Sequence, residues 1–162
     1  MYKFIFSLLL FLSASVLVYS QGMDEMSKEA KYKMIYNEVL NALTTGKTDV
    51  LDKHIASDFV EHDPSPVMSS KSGLERIKED FAAYHKLFPD MKAQVHSMAV
   101  SGDMLFVHLT FTGTASEPHM GMPAGHKMTM SSVDLIRFNG DKAVEHWGFT
   151  SNADIMKMMP QD

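Results

Sequence analysis

Apolar positions along this chain recur with two periods, and the change from one to the other divides it into a helical half and a stranded half. From Ser27 to Leu43, Met34, Ile35, Val39, Leu40 and Leu43 fall on one stripe of a helix, which Gly46 ends. A short second helix is expected next, with Asp49 as its cap and Val50, Leu51 and Ile55 facing inward. Asp58 to His62 reads as a short strand stopped by Asp63-Pro64. Ser72-Gly73-Leu74-Glu75 has the form of a capping box, with Ser72 at N-cap and Glu75 at N3. It opens a third helix in which Leu74, Ile77, Phe81, Tyr84 and Leu87 share a face, and Pro89 closes it.

Beyond Pro89 the period drops to two. Met91 to Val100 is an expected strand, Ser101-Gly102-Asp103 a turn, and Met104 to Thr114 a longer strand in which Leu105, Val107, Leu109 and Phe111 alternate inward. A loop rich in Gly, Pro and Met follows from Ala115 to Gly125. Lys127 to Phe138 and Lys142 to Thr150 are strands joined by Asn139-Gly140, a strong hairpin signal. Helices followed by a meander give an α+β domain: three N-terminal helices over a curved antiparallel sheet of about four to six strands. The space between a curled sheet and the helices that cover it becomes a pocket.

The first twenty residues change the picture of where this domain works. Lys3 precedes an apolar run from Phe4 to Val18, and Val18-Tyr19-Ser20 ends on a small residue, as a cleaved export signal does. The expected division is therefore a signal peptide over 1–20 and one domain over 21–162, exported and free of the membrane once processed. Without Lys3, 14 basic residues face 20 acidic ones, a net charge of −6 that argues against nucleic acid as partner. There are no cysteines, so packing must supply stability without disulfides.

Two segments carry a family resemblance. Ser131-Ser132-Val133-Asp134-Leu135-Ile136-Arg137-Phe138, Asn139-Gly140 and Val144-Glu145-His146-Trp147 together resemble the closing hairpin of SnoaL-like polyketide cyclases and ester cyclases. Asp58-Phe59-Val60-Glu61-His62-Asp63-Pro64 resembles the strand before their pocket, and the helix order agrees. The resemblance implies the cone-shaped nuclear-transport-factor-2-like fold, with a homodimer formed through the sheet as a possible assembly. It also implies a cofactor-free reaction in which a pocket aspartate, here most like Asp134, removes or returns a proton during ring closure. Asp134, Arg137 and Phe138 also resemble a strand of the ketosteroid isomerases, and Asp63-Pro64 resembles their base. Tyr36 stands at the wrong distance from Asp63 to match their tyrosine.

Individual residues sharpen this. Asp134 sits mid-strand, where aspartate is a poor strand former, on the same face as Met128, Met130, Ser132 and Ile136. A carboxylate on an apolar face must be bonded or paired, and its desolvation suits a general base. The register of the next strand decides its companion. A two-residue Asn139-Gly140 loop sets Asp134 opposite Glu145, whereas a three-residue loop sets it opposite Val144 and turns His146 inward. Apolar counting favours the first, and the family resemblance favours the second, which we expect. His62, flanked by Glu61 and Asp63, is a candidate proton acceptor at the mouth. Asp63, Tyr84, His108 and Trp147 are expected ligand-contacting positions, although His108 also reads as a satisfied half-buried histidine and Tyr84 and Trp147 read most simply as core or pocket wall.

A copper site is the competing chemistry, because His119, Met120, Met122, His126, Met128 and Met130 concentrate soft ligands. With 15 methionines in the chain, core filler explains them better, and no metal or cofactor is expected. The sequence thus points to cofactor-free acid–base chemistry on a small apolar carbonyl or ester compound, with Asp134, His62 and His146 as its catalytic residues. The alternative is a binding module that uses the same pocket without turnover.

Overall fold

The computed structural model describes residues 26–63, 70–119 and 121–158. The expected signal segment, Pro64 and Met120 lie outside them. Helix α1 spans Lys28–Thr45. Ser27 caps it by accepting from the Ala30 N–H at 3.2 Å, and Gly46 ends it in the left-handed conformation. Its inward stripe is Tyr32, Ile35, Tyr36 and Ala42, and the Tyr32 ring stacks on Phe138 with centroids 3.9 Å apart. Both tyrosines were absent from the expected stripe.

A 3₁₀ turn over Thr48–Val50 leads into the four-residue helix α2, Leu51–His54. Ile55 does not belong to that helix; it opens strand β1, Ile55–Glu61. Helix α3 is Gly73–Leu87. Ser72 occupies its N-cap position, yet makes no side-chain cap bond, so the capping box exists in sequence only.

Strands β2 (Lys92–Ser101), β3 (Met104–Thr114), β4 (Lys127–Asn139) and β5 (Lys142–Thr150) form the expected meander. The curved sheet has the order β1-β5-β4-β3-β2 and is mixed rather than antiparallel, since β1 pairs parallel with β5. The meander exposes one edge of β5, and β1 fills it with the direction its preceding helices dictate. Helix α4, Asn152–Met158, closes the described chain and had no periodic signal of its own.

Neither expected hairpin register is right. Asn139 pairs with Lys142 around Gly140-Asp141, and Asp134 lies opposite Gly148, not Glu145 or Val144. A β-bulge then leaves Val144 unpaired between Phe138↔Ala143 and Arg137↔Glu145. An extra residue flips everything beyond it to the other face. His146 consequently pairs with Ile136 on the inner face, and Glu145 turns outward. The inward His146 is as expected, but the bulge that achieves it is in the strand rather than the loop.

The core sits between α1, α3 and the inner sheet face, centred on Ile35, Leu51, Leu105, Val107 and Leu109. A second cluster of Leu87, Phe88, Met91, Ala115, Met122 and Met128 packs beside it. Two methionines of the copper alternative, Met122 and Met128, are therefore core side chains. Phe106, Val133 and Phe149 remain exposed on the outer sheet face. No helix among the described residues is long and apolar enough to cross a membrane.

Candidate active site in the sheet–helix cavity

A cavity of about 220 Å³ lies between the inner sheet face and helices α1 and α3. Most of its wall is apolar, contributed by side chains such as Ile35, Val39, Phe81, Phe111 and Ile136. Polar groups enter the wall from five elements, α1, β1, α3, β4 and β5.

Period-two alternation of β4 places Ser132 and Asp134 inward, both buried. The phenol of Tyr36, one helical face on α1, donates to Asp134 Oδ2 at 2.7 Å. The hydroxyl of Ser132 donates to Asp134 Oδ1 at 3.1 Å. His146 Nε2 lies 3.8 Å from the same Oδ1. On its other side, His146 Nδ1–H is held between Glu61 Oε1 and Oε2, each at 2.9 Å. The result is a continuous line of groups, Glu61–His146–Asp134–Tyr36, along the cavity wall. Burial alone would push the His146 imidazolium down, but the Asp134 and Glu61 carboxylates outweigh it and raise it to about 10. Burial, reinforced by the Asp134 carboxylate, holds the Tyr36 phenol well above its ordinary value.

Asp63 joins this line from the loop after β1. Its Oδ1 accepts from the Gly148 N–H at 3.1 Å, and its own N–H donates to Glu61 Oε1 at 3.0 Å. Burial raises the Asp63 carboxyl above the ordinary aspartate value, with the Gly148 N–H and His146 opposing. Arg76 of α3 donates to the carbonyl of Asp63 at 2.8 Å and faces Asp80 at 3.4 Å, so the helix is tied to the loop. Tyr84, one turn beyond Asp80, lines the cavity, where burial raises its phenol to about 12. Glu61, Asp63 and His146 each bring a ligand atom within 4.8 Å of the others and are the residues, among those described, that could gather round a metal ion.

Of the expected site residues, Asp134, His146, Asp63 and Tyr84 line the cavity, and His62, His108 and Trp147 do not. Alternation explains the miss. Glu61 faces inward on β1, so His62 emerges on the outer face, stacked on Trp147 with centroids 4.4 Å apart and bonded to Glu145 at 3.1 Å. His108 is outward on β3 beside His96, their centroids 4.8 Å apart. Tyr36, Glu61, Arg76, Asp80 and Ser132 are the residues sequence reasoning passed over as site groups. A signal existed for two of them. Tyr36 continues the stripe of Tyr32 and Val39, and Asp80 falls between Ile77 and Tyr84 on the apolar face of α3.

The charge on His146 makes stability depend on pH in a defined direction. Its folded value lies above the unfolded one of about 6.5, so its contribution is fully present below pH 6.5 and disappears as pH rises towards 10. Urea denaturation at intervals from pH 6.5 to 9.5 should show wild type losing stability relative to His146→Gln. The unfolded tyrosines titrate only near pH 10, outside that window. Parallel curves for the two proteins would show that His146 is neutral.

Comparison with known proteins agrees with this architecture. The family model of the SnoaL-like polyketide cyclases matches residues 33–159. A search of the curated proteins found no match. Among solved structures, the chain is similar to one from Acidithiobacillus ferrooxidans assigned to the polyketide cyclases, at 24% identity and a TM-score of 0.69, covering 82% of this chain and 97% of that one. It is also similar to TsrD from Streptomyces laurentii, at 18% identity and a TM-score of 0.71, over 83% and 97%. A SnoaL-like polyketide cyclase from Agrobacterium tumefaciens follows at 17% identity and a TM-score of 0.64, over 76% and 93%. At these identities the structures speak for the fold, and the family match spans most of the sequence: this chain belongs to the SnoaL-like polyketide cyclase family.

Proposed function

We propose that the cavity carries out cofactor-free acid–base chemistry on a small apolar carbonyl or ester compound, with Asp134 as the base. The observation that carries this is the Glu61–His146–Asp134–Tyr36 line inside an otherwise apolar cavity. With His146 protonated at neutral pH, the carboxylate of Asp134 is the group available to accept a proton. Asp134 removes a proton from the carbon next to the substrate carbonyl and returns it after the bond rearrangement. His146 supplies the compensating positive charge, and Glu61 fixes its ring. Tyr36 and Ser132 hold the carboxylate so that one orientation faces the cavity.

Proton removal at carbon is visible without knowing the natural substrate. In D₂O buffer, 1-tetralone followed by NMR should exchange the hydrogens next to its carbonyl faster with the protein than without it. Binding of 1-tetralone with exchange no faster than in buffer would make the protein a binder, the reading in which the same cavity holds a ligand unchanged. We also propose that the protein is exported and processed. Intact mass of the protein recovered outside the cytoplasm, beginning near Gln21, supports that, and a retained Met1 overturns it.

A further inference from the structure

The size of the cavity and the chemistry of its helical wall narrow the substrate more than the family description does. A dry apolar cavity of about 150 Å³ takes a single benzene ring, and pockets for drug-sized ligands start near 300 Å³. This cavity, at about 220 Å³, lies between them. By proportion it holds about nine non-hydrogen atoms, the size of one ring or a small fused pair. At its apolar end it is walled by side chains of the second core cluster, Phe88, Met91 and Met128.

Tyr84 supplies a recognition element. It is on α3, the helical wall, whereas Asp134 and His146 are on the sheet wall, so a ligand between them touches both. Burial, reinforced by the carboxylates of Asp80, Asp63 and Glu61, keeps the proton on its phenol, which can therefore donate. Its hydroxyl has no hydrogen-bond acceptor among the described residues, while the neighbouring Tyr36 hydroxyl is engaged with Asp134. Tyr84 is half-buried on the cavity wall, so a ligand oxygen in the cavity can take its hydrogen bond. Arg76, the other donor on this wall, is already committed to the Asp63 carbonyl and to Asp80.

We propose that the substrate is a compact enolisable ketone or ester of one or two rings, not a multi-ring skeleton, whose carbonyl oxygen accepts a hydrogen bond from Tyr84. This rests on the acid–base reading above, since an oxygen held by Tyr84 leaves the adjacent carbon to Asp134. As the carbon–hydrogen bond breaks, its electron pair moves onto that oxygen, and the proton passes to the Asp134 carboxylate. The Tyr84 hydroxyl hydrogen-bonds the resulting enolate, and the proton returns from Asp134 in the reverse step. No oxidant or co-reactant enters.

Equilibrium binding tests the proposal apart from turnover. Three probes suffice: 1-tetralone, its hydrocarbon counterpart tetralin, and tetracycline, a soluble four-ring polyketide. Wild type should bind 1-tetralone and tetralin, and tetracycline should neither bind nor displace them. Tyr84→Phe should weaken 1-tetralone about tenfold while leaving tetralin within about twofold. Competitive binding by tetracycline as tight as that of 1-tetralone overturns the size limit. Equal weakening of both two-ring probes, or of neither, overturns the role of Tyr84, and the wild-type size series decides the first point even if the variant folds poorly. Deuterium exchange is read on the same samples, so selective binding without exchange sinks the acid–base reading and leaves the size and hydrogen-bond assignment standing.

Discussion

Asp134→Asn should slow the deuterium exchange of 1-tetralone by at least about 10²-fold, the lower end of what a general base contributes. Asparagine preserves the volume and one carbonyl acceptor. That acceptor can still receive the Tyr36 hydroxyl now bonded at 2.7 Å. What it cannot do is take up a proton near neutral pH. The amide nitrogen then faces Ser132 and His146, and against the protonated imidazole it opposes donor to donor. His146 loses one counter-charge and keeps Glu61 and, farther off, Asp63, so its raised value should fall towards the ordinary histidine range. The variant should therefore also lose about 1.5–3 kcal/mol of stability at pH 7, the worth of a hydrogen bond to a charged group. That loss should shrink as pH approaches 10, where the wild-type imidazole is neutral too. Exchange rate must be normalised to folded protein by near-ultraviolet circular dichroism. Undiminished exchange per folded molecule would remove Asp134 from the reaction.

The contrast between Asp134 and His62 shows what could be read from the sequence. A strand of thirteen residues with inward methionines leaves no ambiguity about which face Asp134 is on, because the period of two is carried by many residues. β1 is seven residues long and ends beside the cluster Glu61-His62-Asp63, where three polar neighbours give no alternation to count. Chemistry alone then singled out the histidine, and pairing geometry assigned the inward place to Glu61. The inward turn of His146 depended on a bulge at Val144, and bulges have no composition signal; only the family resemblance pointed to that face. The parallel pairing of β1 was likewise hidden, since its partner is about ninety residues away and neither strand records its direction in its own sequence. Tyr36 and Asp80 were legible in principle. Each is a polar residue on an apolar helical stripe, the pattern that identified Asp134 on its strand.

The same limits set up the largest expected loss of stability, at the start of α3. Read as a capping box, Ser72 is the residue to remove, and its alanine variant should cost about 1 kcal/mol. In the structure Ser72 makes no cap bond, so Ser72→Ala should be neutral within about 0.5 kcal/mol. The sensitive residue is its neighbour. Gly73 has φ of +59°, and a Cβ there would stand 2.0 Å from the backbone carbonyl oxygen of Ser57 on β1. Neither side of that contact is a flexible side-chain tip that can swing away. Left-handed backbone costs an alanine about 1–2 kcal/mol by itself. Separating α3 from β1 adds lost packing, so Gly73→Ala should destabilise by about 3 kcal/mol or more. The damage reaches the cavity. Arg76, three residues on, ties this first turn of the helix to the carbonyls of Glu61 and Asp63 at 3.4 and 2.8 Å. A helix displaced from β1 therefore moves the loop that carries Asp63 and loosens the carboxylate that holds His146. Urea denaturation of both variants, with 1-tetralone affinity measured on the folded fraction of each, checks the order. A Ser72→Ala loss larger than that of Gly73→Ala would mean that the capping box forms after all and that the helix does not approach β1 this closely.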